Sequence, residues 1–563
     1  MENSSSEKIF IGVAWPYVNG DIHFGHLAGY LIPADIFARF NRFIGNEVLM
    51  VSGADCFGTP VTVEADKRGV SPAEIVDEYN PKHIELFKEL ELSFDLYTKT
   101  NNPTHIRVVQ DMFLSLLEKG YIYKDSSEQY YSESESRFLP DRYVEGTCPH
   151  CGDTDARSDQ CDNCGRVLSQ GELIEPRSKL SKSAVSMKTT EHYFFDWPKL
   201  EGFLKNYVTS HEKNWRPWVF KETVGWLETG LKPRSITRDL DWGVEIPNDR
   251  IPEAQRIEGY EHKRIYVWFE AVIGYLSASI KFSEDSGNPE LWKKFWHSAD
   301  AKHYYFMGKD NLVFHTLFWP GQLHAYDESL HLPDVPAVNH FLSLNGQAFS
   351  KSFGVTLDPR KILADFDLDL VRLYLCLIMP ENQDSDFSWN DFITKTNNLV
   401  IANLGNFVFR TMKLAENLDT SAVKADAEIS AAIESALSEA KTLLAGCNFK
   451  RYTERTLELS ALANKYLSDT TPWTVKKTDM ERYAVIMRGA MEIAIALGVL
   501  LKPIAPKTAD KLFGMLNLNL ERWPTAVEVD EMANAASVSA PSPLFVKIEA
   551  TEEDIASFNE KYR

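Results

Sequence analysis

The stretch that most restricts how this chain can fold lies near its start. An apolar run, Ile9-Phe10-Ile11-Gly12-Val13-Ala14, leads through a turn-rich Trp15-Pro16-Tyr17-Val18-Asn19-Gly20 to His23-Phe24-Gly25-His26. The run reads as a buried strand, and Leu27, Leu31, Ala34, Phe37, Phe40 and Ile44 then recur at helical spacing. Pro33 falls inside that helical pattern and predicts a kink or a non-ideal early turn. Val48-Leu49-Met50-Val51 reads as the next strand and carries Asp55 just past its C-terminal end, where open parallel sheets bind ligands. Ser71-Pro72-Ala73-Glu74 combines an N-cap, a proline at N1 and a capping-box glutamate, so a further helix starts there.

With 563 residues the chain exceeds what one hydrophobic core supports, and several domains are expected. A net charge of −21 argues against coating nucleic acid through bulk positive charge, while leaving room for a local basic track. Residues 1–8 carry no long apolar segment and no run of about 18 apolar residues is apparent, so the plain expectation is a cytoplasmic protein without a membrane partner.

A helix opening at His23-Phe24-Gly25-His26 would offer unpaired N–H groups and a partial positive charge, which suits a triphosphate. Gly25 lets a nucleotide approach the backbone, and His23 and His26 can donate to phosphate oxygens as charge develops. In isolation such a motif is more often two surface histidines by a turn, so its reading depends on the rest of the chain. Further on, Ile265 to Phe269 reads as a strand, and His303 to Met307 as another that leads into Gly308-Lys309-Asp310. Asp310 could hold a ribose or adenine group, or serve only as an N-cap. Ala337 to Leu344, Asn345-Gly346 and Gln347-Ala348-Phe349 give a hairpin signal that presents Ser350-Lys351-Ser352-Phe353-Gly354 as a polar loop. A lysine there can close over a leaving pyrophosphate.

Between these halves lie Cys148-Pro-His-Cys151 and Cys161-Asp-Asn-Cys164. Two such knuckles across a short polar loop can converge four thiolates on one tetrahedral Zn²⁺, and a closed structural site is expected because no further ligand is needed. Paired disulfides are the alternative, disfavoured in a reducing compartment. Cys56, Cys376 and Cys447 are scattered and read as buried free thiols.

Taken in order, these segments resemble the methionyl-tRNA synthetase family of class I aminoacyl-tRNA synthetases from end to end. His23-Phe24-Gly25-His26 resembles that family's H-I-G-H box, and Ala14 to Gly20 its A-x-P-Y-x-N-G. Gly53 to Pro60, Phe138 to Arg142, Glu172 to Pro176, Tyr266-Val267-Trp268, Ile273-Gly274-Tyr275, Gly308-Lys309-Asp310 and Phe314 to Pro320 also match. The resemblance implies attack of L-methionine on the α-phosphate of ATP, giving methionyl-adenylate and pyrophosphate, followed by transfer to the terminal ribose of tRNA(Met), with Mg²⁺ accompanying ATP. Carried over, it implies catalytic roles for His23, His26, Lys351 and Arg238, the last orienting Asp55 or the substrate's own carboxylate. ATP would meet His23, Gly25, His26, Asp310, Ser350 and Lys351. Methionine would meet Ala14, Trp15, Tyr17, Asp55, Trp268, Ala271, Tyr275 and His315, since a thioether is recognised by soft contacts with aromatic rings.

The chain departs from the family at its second signature, K-M-S-K-S, which here is Ala348-Phe349-Ser350-Lys351-Ser352. Lys351 is left as the catalytic cation, with Lys309 as a partial substitute for the missing lysine. Two rivals remain: a class I synthetase for another apolar amino acid, which would carry a large editing insert, and an inactive module that binds tRNA or a partner.

From about Asp391 the pattern turns helical. Asn406, Arg410 and Trp473 resemble the family's anticodon readers, with polar groups for base edges and an indole for stacking. The expected fold class is thus α/β, a Rossmann-like parallel-sheet catalytic domain with a zinc-bearing insertion, followed by an all-α anticodon-binding bundle. Expected boundaries are 1–120 and 229–335 for the two catalytic halves, 121–228 for the zinc insertion and 336–390 for the loop and stem-contact region. The helical domain is expected over 391–527 and a linker and tail over 528–563, in a monomer.

Overall fold

The computed structural model describes residues 6–139, 143–158, 161, 163–164, 168, 171–349 and 355–563. Five parallel strands form the central sheet: β1 (Lys8–Val13), β2 (Glu47–Ala54), β3 (Leu96–Lys99), β4 (Ala301–Gly308) and β5 (Val335–Asn339). Their spatial order is β5-β4-β1-β2-β3, so the chain winds outward from β1 in one direction and later in the other. The register pairs Phe10 with His303 on one side and with Leu49 on the other. Such a reversal of strand order leaves a crevice beyond the carboxyl ends of the strands beside it, here β1 and β4.

The helical run after β1 begins at Phe24 and ends at Phe43, and the irregularity expected from Pro33 takes the form of a π-turn over Leu27–Leu31. Ile32 N–H reaches back five residues to the Leu27 carbonyl, after which the proline, having no N–H to place, starts a regular helix. A second π-turn, Phe314–Phe318, precedes Pro320 in the same way. The helix expected at Ser71 spans Pro72–Glu89 behind a complete capping box.

Two expectations need correction. Ile265 to Phe269 is not one strand: the strand ends at Ile265, Tyr266 takes the N-cap position and a helix covers Val267–Glu270. Its β-branched and aromatic residues favour a strand locally, but packing beyond the sheet end decides. Ala337 to Leu344 is likewise divided. Val335–Asn339 completes the central sheet, whereas Leu342–Leu344 pairs antiparallel with Gln347–Ala348 and parallel with Ser385–Phe387. The Asn345-Gly346 turn forms as expected, with φ of 51° and 77°, the left-handed region a tight hairpin requires.

Between the halves of the sheet, Ile122–Ser132 and Ser186–Phe195 make a long antiparallel ribbon that carries the cysteine-bearing segment at its far end. The C-terminal part is helical. Its central helix, Met480–Leu501, corrects the expectation that no run of about 18 apolar residues is present: it is long and apolar enough for one, and 89% of its most apolar 18-residue window is buried among its neighbours, as in a core helix. Asp35 and Arg372, both buried, join the nucleotide fold to this part: Arg372 Nη2 meets Asp35 Oδ2 at 2.7 Å and its Nε donates to the Ile504 carbonyl. The tail returns to the body as the helix Glu552–Lys561, with Tyr562 packed on Trp389 at 4.8 Å between ring centroids.

Candidate active site

At the carboxyl ends of β1, β2 and β4 lies a cavity of about 310 Å³, lined by Ala14, Trp15, Tyr17, His23, Gly25, His26, Asp55, Trp268, Ala271, Tyr275, Asp310 and His315. Twelve positions scattered between 14 and 315 in the sequence are thus gathered around one space. The lining also includes Gly29 and Tyr30 from the first π-turn, and His340, Phe341 and Phe349 from the chain after β5. Another cavity, about 940 Å³, lies between the ribbon and the nucleotide fold and contains none of those twelve side chains.

His23 and His26 are held by the helix they begin. Gly25 N–H donates to His23 Nδ1 at 3.2 Å, and His23 N–H donates to His26 Nδ1 at 3.1 Å. A ring nitrogen that accepts carries no proton, so each imidazole bears its proton on Nε2. The rings lie 3.8 Å apart between centroids. Phe349 stacks on His23, at 5.2 Å with 7° between planes. Ser350 and Lys351 lie outside the described residues, as do Pro140, Asp141 and Arg142; the residue immediately before Ser350 nonetheless rests on the first histidine.

Asp55 follows β2 and is buried. Burial, and then the nearby Glu270 carboxyl, push it well above the usual carboxylate range, while N–H groups of Phe57 and Gly58, each 3.1 Å from Oδ1, pull it back. Above it stands the Trp15 indole, for which Gly53 and Gly274 make room: a Cβ at either position would come within 2.3 Å and 2.8 Å of ring atoms. Tyr17 meets Trp268 edge-on at 6.3 Å, and Trp268 stacks on Phe314 at 4.3 Å. Gly308 has a similar reason to be glycine, since a Cβ there would come 2.8 Å from Asp310 Oδ1.

Tyr275 and His315 form the inner wall. Tyr275 Oη lies 2.7 Å from His315 Nε2, and His315 Nδ1 lies 2.9 Å from the Asn311 carbonyl. The carbonyl can only accept, so Nδ1 holds the proton and Nε2 accepts from the tyrosine. Burial takes the imidazole down to about 4, consistent with a neutral ring. Their polar atoms are therefore consumed by one another, and what they present to the cavity is aromatic surface.

Arg238 stands apart from the other expected site residues. It is not among the residues that line the cavity. Its guanidinium lies over the Tyr266 ring at 4.2 Å and donates to the carbonyls of Ser235 and Thr237, its near neighbours in the chain. Lys309 is held by Asp384 at 2.7 Å and lies over Phe341 at 4.5 Å. Three contributors escaped the sequence reading. Phe349 sits inside the signature but was passed over, Glu270 could have been noticed as a lone acid in the apolar run Val267 to Ile273, and His105 gave no signal at all.

The four sulfur atoms of Cys148, Cys151, Cys161 and Cys164 lie within 4.8 Å of one another, and all are free thiols. Cys148 and Cys164 are 3.9 Å apart and Cys151 and Cys161 3.5 Å, close to the roughly 3.8 Å edge of a tetrahedron built on Zn–S bonds of about 2.3 Å. These residues fit a four-coordinate metal. Cys56, Cys376 and Cys447 are buried and free, as expected. In the helical part, Arg410 lies over the Trp473 ring at 5.1 Å, and Asn406 begins the same helix one turn earlier. Trp473 is 41% exposed, enough surface to take a stacked base.

Residues 9–412 match a family model described as tRNA synthetases class I (M), and residues 419–563 match one for the anticodon binding domain of methionyl tRNA ligase. A methionine–tRNA ligase from Roseiflexus sp. is 39% identical, with 99% of this chain and 100% of that protein covered. One from Thermomicrobium roseum is 43% identical over 91% of this chain and 87% of its own length. Among solved structures, the Mycobacterium tuberculosis methionyl-tRNA synthetase in complex with methionyl-adenylate superposes with a TM-score of 0.77 at 22% identity, covering 96% of this chain and 99% of that one. At that identity the likeness speaks for the shared fold.

Proposed function

Since the chain belongs to the methionyl-tRNA synthetase family of class I, we propose that the cavity beyond β1, β2 and β4 is where it carries out that family's chemistry. The enzyme activates L-methionine with ATP to methionyl-adenylate and pyrophosphate, and transfers the methionyl group to tRNA. In our reading the methionine ammonium meets Asp55, a buried cavity-lining carboxylate that accepts the N–H groups of Phe57 and Gly58. The thioether lies against Trp15, Trp268 and Tyr275. It offers almost nothing to hydrogen-bond, and the internally paired Tyr275 and His315 ask for nothing.

ATP would lie along the lip of the helix, with Nε2–H of His23 and His26 donating to its phosphate oxygens and Asp310 toward its nucleoside. As the methionine carboxylate oxygen bonds to the α-phosphorus and the bond to pyrophosphate breaks, negative charge grows on the leaving oxygens, where donors fixed beforehand are most effective. The observation that carries this reading is the Phe349 stack on His23. Phe349 immediately precedes Ser350 in the sequence, which supports the reading that Lys351 covers the departing pyrophosphate.

Zn²⁺ bound by Cys148, Cys151, Cys161 and Cys164 would hold the insertion together, and Mg²⁺ would accompany ATP. Asn406, Arg410 and Trp473 would read the anticodon. A monomer in the cytoplasm is the setting we propose, supported by the seven free thiols, which suit a reducing compartment. The test is amino-acid-dependent exchange of pyrophosphate into ATP. Methionine alone should support it, and Lys351→Ala should nearly abolish it. Exchange driven by leucine, isoleucine or valine, or by no amino acid, would overturn the reading.

A further inference from the structure

Behind the cavity wall lies a chain of buried polar groups that the proposed chemistry does not use. Glu270 Oε2 is 2.6 Å from His105 Nε2, His105 Nδ1 is 2.8 Å from Ser277 Oγ, and Ser277 Oγ donates to the Gly274 carbonyl at 3.1 Å. Glu270 and His105 are wholly buried and Ser277 is nearly so. The direction of this chain can be followed from its fixed end. The Gly274 carbonyl accepts, so Ser277 donates to it and accepts from His105 Nδ1–H. A neutral His105 then has a bare Nε2, and among the described residues the group that faces it is the Glu270 carboxyl.

Glu270 also stands close enough to Asp55 to disfavour two charges there. The surroundings of these two acids differ. Asp55 receives N–H groups from Phe57 and Gly58, which reward an ionised oxygen. Glu270 receives none from the backbone, and its Oε1 is buried without any partner. A carboxylate with one bare oxygen in a dry interior is costly, whereas a carboxylic acid that donates through Oε2 loses least. Burial likewise drives His105 down to about 3, against forming an imidazolium.

Resting on the reading of Asp55 as the ammonium partner, we propose that Glu270 is a positioning residue that stays protonated. It donates to His105 and leaves Asp55 as the sole anion of the buried pair facing the substrate's ammonium. The Glu270–His105–Ser277 chain then does two things. It keeps a second negative charge out of the amino-acid site, and it fixes the segment Trp268 to Tyr275 that forms one wall, because Glu270 and the Gly274 carbonyl to which Ser277 donates both lie on that segment. Trp15 packs over the same group, 6.2 Å from His105 between ring centroids.

Two measurements test this. Infrared difference spectra of substrate-free wild type against Glu270→Gln at neutral pH should show the carbonyl stretch of a protonated carboxylic acid that the variant lacks; a carboxylate band in its place would overturn the proposal. In methionine-dependent pyrophosphate exchange, Glu270→Met strands His105 Nε2 and should raise KM for methionine by roughly tenfold, with KM for ATP unmoved. Glu270→Gln can still donate an N–H to that nitrogen and should recover most of the loss. Equal impairment of the two variants would mean that negative charge, not a donor, was needed, and would overturn the proposal. The infrared result involves no substrate, so it stands or falls separately from the assignment of the reaction, whose own failure would be absence of methionine-dependent exchange in the wild type.

Discussion

Gly53→Ala is the smallest change that should alter recognition of the amino acid. A methyl group at that position would lie 2.3 Å from Trp15 Cζ3, 2.6 Å from Cη2 and 2.7 Å from Cε3. The indole has little room to move the other way, because its opposite edge already rests against Gly274, so closely that a Cβ there would stand 2.8 Å from Cε2 and Cζ2. Nor can its backbone retreat: the Pro16 carbonyl accepts from Asp55 N–H at 2.9 Å, and Ala14 N–H donates to the Phe306 carbonyl at 2.9 Å. Relief of about 1 Å must come from the indole tipping into the cavity, and overpacking of this kind costs ~1–3 kcal/mol. If most of that is felt when methionine enters, KM for methionine rises roughly 5- to 150-fold. KM for ATP should change little, since the nucleotide lip is built from a different helix. The assay is pyrophosphate exchange titrated with each substrate in turn. Trp15→Leu placed on Gly53→Ala should recover much of the loss, because the two changes share one contact. An unchanged KM in the single variant, or a double variant no better than the single, would refute the wedge argument.

Tyr275→Phe removes the donor to His315 Nε2 and leaves a buried acceptor unpaired at a cost of ~1–3 kcal/mol, expected as roughly tenfold in KM for methionine; an unchanged value would show that the pair does not shape the site. The ammonium contact requires ionised Asp55, whose carboxyl burial raises well above its ordinary value, so kcat/KM for methionine should decline as pH falls through that raised value, well before ordinary carboxylates titrate. An acid limb no higher than that of an exposed aspartate would contradict it. Trp473→Ala removes the exposed ring beneath Arg410 and, at ~1–3 kcal/mol for a lost stack, should raise KM for tRNA in charging tenfold or more while leaving pyrophosphate exchange near normal. Equal loss in both assays would place Trp473 in folding instead.

Whatever rests on local spacing was legible in the sequence. The buried run at Ile9, the capping box at Ser71, the Asn345-Gly346 turn and the two cysteine knuckles each fix their geometry within a few residues, and each has the expected form. Contacts between distant segments were not legible. Ile265 to Phe269 carries strand-like residues, yet the chain has already run past the sheet and turns into a helix at Val267. Arg238 matches a motif by sequence, but a guanidinium four bonds out from its strand can settle on Tyr266 as well as on Asp55, and only packing decides between them. Glu270 and His105 are separated by the whole of the cysteine-bearing insertion, so no spacing could have joined them.

The π-turns at Leu27–Leu31 and Phe314–Phe318 show how a local rule serves the distant site. Each stands just ahead of a proline, Pro33 or Pro320, and each delivers cavity residues: Gly29 and Tyr30 from the first, His315 from the second. A regular helix up to Pro33 would bring the ring against the Gly29 carbonyl four residues earlier. Widening the turn relieves that clash but strands the carbonyl that would have paired five residues on. Ile32 satisfies Leu27, whereas Pro33 has no N–H for Ala28. Asn339 at the end of β5 fills that gap, its Nδ2 donating to the Ala28 carbonyl at 3.3 Å, and Arg216 holds Asn339 in turn through Oδ1 at 2.8 Å. The register of the helix that begins at His23 is thereby tied to the strand from which the Phe349 loop departs. The helix that opens at His23 and the strand that leads toward Phe349 are thus tied by a bond that neither motif contains, a physical reason for segments so far apart in the sequence to keep a fixed relation.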